Sequence, residues 1–190
     1  MKNPQVDEHG TKRWFNESGQ LHRDGDKPAV EHADGHKFWY QHNNLHRDGD
    51  KPAAEYANGD KVWYQHGDLH RDDDKPAIEL SNGDKHWCQN GKLHRDGDKP
   101  AIEDANGDKM WYQHGELHRD GGKPAAEFAN SDKAWFKNGE RVDTYYANFG
   151  CFEPKTREEA LERLNSKERP YSREFYLADI NRMFPENAKK

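Results

Sequence analysis

A period of 24 residues governs most of this chain. The string Leu-His-Arg-Asp begins at Leu21, Leu45, Leu69, Leu93 and Leu117, and Lys-Pro-Ala follows each time from Lys27, Lys51, Lys75, Lys99 and Lys123. A glutamate comes next (Glu31, Glu55, Glu79, Glu103, Glu127), then a Lys-x-Trp unit. All six tryptophans lie in that unit: Trp14, Trp39, Trp63, Trp87, Trp111 and Trp135. The first tryptophan step is 25 rather than 24, so residues 9–20 read as a partial leading repeat with one inserted residue. Arg141 and Val142 occupy the Leu-His slots at the far end, and there the pattern stops. The chain therefore divides into a tail over 1–8, an array over 9–142, and a different segment over 143–190. Short repeats cannot bury a face alone, so they stack into a quasi-one-dimensional body.

Each unit carries two turn signals. One precedes the Trp strand (Asp34-Gly35, Asn58-Gly59, Asn82-Gly83, Asn106-Gly107) and the other follows it (His66-Gly67, Asn90-Gly91, His114-Gly115, Asn138-Gly139). Such pairs reach positive φ cheaply and suit hairpin turns. The stretches between them alternate and are too short for stable helices. The expected fold is mainly β: an elongated antiparallel meander of stacked 24-residue hairpin repeats with a small C-terminal helical cap. Reading Asn58-Gly59 as a two-residue turn sets Tyr56 against Lys61, Glu55 against Val62 and Ala54 against Trp63. Trp63 then shares a face with Ala54 and Tyr56, while Ala53, Glu55, Val62 and Tyr64 take the other. The next turn sets Leu69 against Tyr64 and His70 against Trp63. The Trp face is the expected packed ridge. With roughly eleven strands about 4.8 Å apart, the array spans on the order of 50 Å.

The Arg-Asp-Gly-Asp-Lys-Pro stretch is a polar excursion in which Gly25, Gly49, Gly97 and Gly121 allow a sharp bend and proline fits a strand start. Asp73 fills the glycine slot in the third unit, so a side chain is tolerated there. Two strands per unit are expected, with three as the alternative. Beyond Asp143 the pattern changes: Thr156-x-x-Glu159 is a capping box for a helix from Arg157 to about Asn165, and Ser172 caps a second that ends before Pro185. These helices are expected to cover the last strand edge. A dedicated partner-binding helix is the alternative.

Nine basic and nine acidic residues follow position 142, so the net charge of −6 belongs wholly to the rest of the chain. That acidic balance argues against coating nucleic acid or an anionic membrane. The apolar runs are too short to span a bilayer, and the first residues lack the stretch of a signal peptide. With only Cys88 and Cys151, no disulfide framework is expected, and the cytoplasm is the expected compartment.

The run Trp63-Tyr64-Gln65-His66-Gly67-Asp68-Leu69-His70-Arg71, followed by Lys75-Pro76-Ala77, resembles MORN-variant repeats. It is most similar to their Trp-Tyr-x-Asn-Gly-x-Leu-His-Arg form, found in bacterial, bacteriophage and giant-virus proteins. It departs from typical units in lacking the aromatic-x-Gly-x-Trp core and in carrying Lys-Pro-Ala where Gly-Pro-Ala is usual. The resemblance implies a hairpin array used for protein interaction, without an active site. It also raises a phage or viral origin, where small acidic proteins often inhibit host machinery.

His42/His46, His66/His70 and His114/His118 have a zinc-compatible spacing, but His66 and His114 sit in turns and Asn90 replaces their equivalent. Asp24/Asp26, Asp48/Asp50 and Asp96/Asp98 offer hard oxygens near a glycine, as calcium loops do, yet each loop also holds Arg and Lys. No metal ligand set, cofactor or catalytic residue is assigned, because the candidate His, Asp and Glu recur in a ladder rather than in one asymmetric cluster. The positions that differ between units are His32, Tyr56, Leu80, Asp104 and Phe128 on one strand, and Phe38, Val62, His86, Met110 and Ala134 on the other. Variable positions give each unit its own contact, although drift at exposed sites leaves the same pattern. Tyr56, Leu80, Phe128, Phe38 and Met110 are the candidate partner-binding residues, since interface hot spots favour large apolar side chains. The functional expectation is a non-catalytic repeat protein that binds another protein, with no direct nucleic-acid or membrane contact. Its sharpest form is a phage- or virus-type inhibitor of a host defence or nucleic-acid-processing protein. The alternative is a calcium-stabilised structural or self-assembling module.

Overall fold

The computed structural model describes residues 3–142, with Glu158 alone beyond them. The helical cap expected over 143–190 otherwise lies outside the described residues. The array is a mainly β meander. Thirteen short strands form one connected antiparallel sheet, from Gln5–Val6 at one end to Glu140–Val142 at the other. At about 4.8 Å per strand it is roughly 55–60 Å long.

Each unit gives this sheet two strands, such as Ala54–Glu55 and Lys61–Val62, and then a separate two-stranded hairpin, Tyr64–Gln65 with Asp68–Leu69. Neither two nor three strands per unit therefore describes the fold; four very short ones do. Trp63 is the joint between the two sheets. Its N–H donates to the Ala77 carbonyl of the next unit (2.8 Å), and its carbonyl accepts from His70 in its own hairpin (3.2 Å). Consecutive hairpins are linked by single backbone bonds, as Gly91 N–H to Leu69 O (3.0 Å), which leaves each a small sheet of its own.

The two turns differ. His66 and Gly67 both have positive φ (52° and 97°), and the resulting two-residue turn pairs Leu69 with Tyr64 as expected. Asn58-Gly59 does not form such a turn. The loop holds three residues, Ala57 to Gly59, closed by Tyr56 N–H to Asp60 O (3.0 Å) and Gly59 N–H to Tyr56 O (2.9 Å). Gly59 takes the left-handed place at φ 95°, as in hairpins where a turn runs into a glycine bulge. The register shifts by one: Glu55 faces Lys61 and Ala54 faces Val62. A one-residue slip exchanges the faces of a strand. Trp63 consequently shares its face with Ala53, Glu55 and Lys61, and Tyr56 lies with Ala54 and Val62 on the other.

On the Trp face, glutamate and lysine alternate across the sheet, as in Lys37–Glu55–Lys61–Glu79–Lys85, so opposite charges meet at each of these strand pairs. Beneath them lies the core that each unit repeats. Trp39, Trp63, Trp87 and Trp111 are each 6% exposed, and Ala29, Ala53, Ala77, Ala101 and Ala125 are fully buried. The Pro-Ala step recurs in all five units, and each of its alanine carbonyls accepts the backbone N–H of a tryptophan, as Ala77 does from Trp63 (2.8 Å).

Candidate interaction face

The Asp-rich loops lock the units together. Arg71 lies over the Trp63 ring with its guanidinium carbon 3.7 Å from the centroid. Its Nε donates to Asp50 Oδ1 of the preceding loop (2.7 Å), and Nη1 donates to the Pro76 carbonyl (3.1 Å) and to Glu79 (2.8 Å). Lys75 Nζ reaches Asp50 Oδ2 at 2.8 Å. The same set recurs at Arg47, Arg95 and Arg119 with Asp26, Asp74 and Asp98. The Arg and Lys bonds hold the carboxyls of these four aspartates down to about 2.

The other loop aspartate is also engaged. Asp48 accepts from Gln41 Nε2 (3.0 Å) and lies 3.1 Å from His46 Nε2, while His46 Nδ1 accepts the His66 backbone N–H of the next unit (3.1 Å). That backbone donor requires an unprotonated Nδ1, so the histidine is a structural link between units. Among the described residues, no three His, Cys, Asp or Glu gather as a metal-ligand set. A cleft of about 430 Å³ between the third and fourth loops is lined by Arg71, Asp74, Trp87, Arg95 and Lys99, and similar clefts recur at neighbouring junctions.

The opposite face holds the residues that differ between units. Phe38 pairs with Ala54 and Met110 with Ala126, so Tyr56 and Phe128, two residues further on, stand diagonally beside them. The rings of Phe38 and Tyr56 meet edge-on at 5.6 Å, those of His32 and Phe38 at 5.5 Å, and those of His36 and Tyr56 at 5.3 Å. His86 Nε2 lies 4.0 Å from Asp104 in the centre of this face, where burial pushes the Asp104 carboxyl up. Further along come Met110 and Phe128, the latter 36% exposed. The five candidates thus share one face, which runs from aromatic through a His–Asp centre to apolar. Phe38 with Tyr56, and Met110 with Phe128, are neighbours, and Leu80 lies between the two pairs.

The sequence marks the tyrosine row of the short hairpins as a packing row, with Cys88 standing in one of its slots. Tyr40 and Tyr64 border this face, and burial, with neighbouring Tyr56, raises both phenols. Their recurrence beside each tryptophan was the available signal. Cys88 replaces them in the fourth Trp strand, 4% exposed, with its thiol pushed up to about 11 by burial. Compared with known proteins, the chain matches no family model and no curated protein.

Proposed function

We propose that this chain is a non-catalytic repeat protein whose variable face binds another protein. One contrast carries the reading. Lys37, Lys61, Lys85, Lys109 and Lys133 are exposed yet identical in every unit, whereas the half-buried face opposite them changes at each step. A half-buried row that served packing alone would stay as constant as the tryptophans, and this one changes at each step. The scaffold residues are meanwhile consumed by one another, with Arg47, Arg71, Arg95 and Arg119 each bonded to an aspartate of the preceding loop. The resemblance to MORN-variant repeats points to the same class, and its narrower form is an acidic inhibitor of a host nucleic-acid-processing protein.

The test compares two quadruple variants with the parent protein in partner capture from bacterial lysate at several salt concentrations. Phe38→Ser, Tyr56→Ser, Leu80→Ser and Phe128→Ser together should abolish capture while circular dichroism shows the sheet intact. Replacing Lys37, Lys61, Lys85 and Lys109 with Gln should leave capture unchanged. Loss with the lysine set alone would reverse the assignment of faces. Capture that survives high salt points to the aromatic positions, and capture lost with modest salt supports the acidic-inhibitor form.

A further inference from the structure

The variable face carries one carboxylate that the fold leaves unanswered. Where other units place Tyr56, Leu80 and Phe128, the fourth has Asp104. Its side chain is 25% exposed, and His86 Nε2, at 4.0 Å, lies beyond hydrogen-bond range. Among the described residues no N–H or O–H donates to this carboxylate. Its neighbours across the strands, Asp84 and Asp108, are different. Asp84 accepts the Ala105 backbone N–H (2.8 Å) and the Asn82 amide (2.8 Å), and Asp108 accepts the Ala129 N–H (2.7 Å) and the Asn106 amide (3.0 Å). Both belong to a turn ladder in which Asp104 has no part. Burial, and then Asp84, push the Asp104 carboxyl up. Leu80, Ile102, Met110 and Phe128 surround it on the same side of the sheet, while Lys85 and Lys109 of the adjoining strands point to the other. A half-buried carboxylate without donors is costly, and a cation brought in among these apolar side chains would offset that cost.

We propose that the variable face, taken as the binding surface argued above, receives an amphipathic helix of a partner protein whose apolar stripe is interrupted by one basic side chain that pairs with Asp104. Three features select that occupant. The first is backbone chemistry. The sheet's N–H and C=O groups bond within its plane, so its face offers none to a partner strand, whereas a helix satisfies its own backbone and packs on a sheet through side chains. The second is spacing. Leu80, Asp104 and Phe128 lie in successive units, two strands or about 9.6 Å apart. A helix rises about 10.5 Å in seven residues. Lying across the strands, it can set an apolar, a basic and an apolar side chain against these three in turn, as anchors at i, i+7 and i+14. The third is charge. The chain carries −6, and Asp104 with Asp84 and Asp108 makes the centre of the face acidic, so the stripe's interruption is a cation.

The experiment titrates the full chain by calorimetry with three synthetic helical peptides of about 21 residues, long enough for two seven-residue steps. Each is built of alanine and glutamine with one leucine stripe, and the central stripe position is Arg, Gln or Glu. The Arg peptide should bind at least about tenfold more tightly than the Gln peptide, and the Glu peptide most weakly. Asp104→Asn should bring the Arg peptide to the level of the Gln peptide and leave the Gln peptide where it was. Asp104→Lys should reverse the order of the Arg and Glu peptides, with circular dichroism unchanged in both variants. Leu80→Ser and Phe128→Ser should weaken all three peptides. Failure of the Arg peptide to bind, equal binding of the Arg and Gln peptides, or an Arg preference that survives Asp104→Asn would overturn the proposal. Partner capture that is still lost in the quadruple variant of Phe38, Tyr56, Leu80 and Phe128 would then remove the basic helix alone. Capture indifferent to that variant would remove the binding face itself.

Discussion

Changing Arg71 to lysine separates the guanidinium from its charge. Arg71→Lys keeps a cation but loses the fork that reaches Asp50, Pro76 and Glu79 at once while lying 3.7 Å over Trp63. Holding Asp50 at about 2 rather than its ordinary 3.8 corresponds to roughly 2.4 kcal/mol if unscreened. Lys75 holds the same carboxyl and the Asp50 side chain is 43% exposed, so the share lost with Arg71 is about 1 kcal/mol. Loss of the stack adds about 0.5–1 kcal/mol, and loss of the bonds from Nη1 about 1 kcal/mol. Arg71→Lys should therefore cost about 2.5–3 kcal/mol, read from urea unfolding followed by tryptophan fluorescence. A double-mutant cycle isolates the inter-unit part. Asp50→Asn with Arg71→Lys should show a coupling of about 1 kcal/mol, and Asp50→Asn with Arg95→Lys, which does not touch Asp50, none. Equal coupling in the two cycles, or a total cost for Arg71→Lys below about 0.5 kcal/mol, would refute the argument that these clamps hold the units together.

Acid should loosen the array through the same groups. Asp26, Asp50, Asp74 and Asp98 have folded values near 2, below their ordinary 3.8, so their contribution is complete above about pH 4 and is lost as pH falls towards 2. At roughly 0.5–1 kcal/mol each after screening, the urea midpoint should fall across that window, and a flat midpoint would count against it. Asp73 sits at φ 62° where four other units have glycine, and Asp73→Gly should stabilise the protein by about 0.5 kcal/mol in the same assay. Gly59→Ala should cost about 1–2 kcal/mol, because φ is 95° there while the added carbon meets Ser81 only at an ordinary 3.5 Å. In a Cys151→Ser background, the Cys88 thiol, held up to about 11 by burial, should react with a disulfide reagent only as fast as the array opens. Immediate reaction would place Cys88 outside the core.

The period alone located the strands, the tryptophan row and the five candidate binding residues, because each depends on residue type at a repeated place. His66-Gly67 was readable for a local reason: a two-residue turn needs two positive φ values, and the pairing of Leu69 with Tyr64 follows from its length. Asn58-Gly59 was not. The same dipeptide serves a two-residue turn or the last two places of a three-residue loop, and only the bond from Tyr56 N–H to Asp60 O tells them apart. That single residue decided which side Tyr56 occupies, so the variable positions were found while their common face was not. The arginine clamp escaped for a different reason, since Asp50 and Arg71 lie 21 residues apart and meet across a unit boundary. One trace of it stood in the chain nonetheless. Position 122 has lost its aspartate just where the following unit would place Asp143 and Ala147 in the arginine and lysine slots. Anion and cations disappear together because a carboxylate held in a left-handed loop is useful only while the next unit answers it. The last full loop therefore lacks both halves of the clamp.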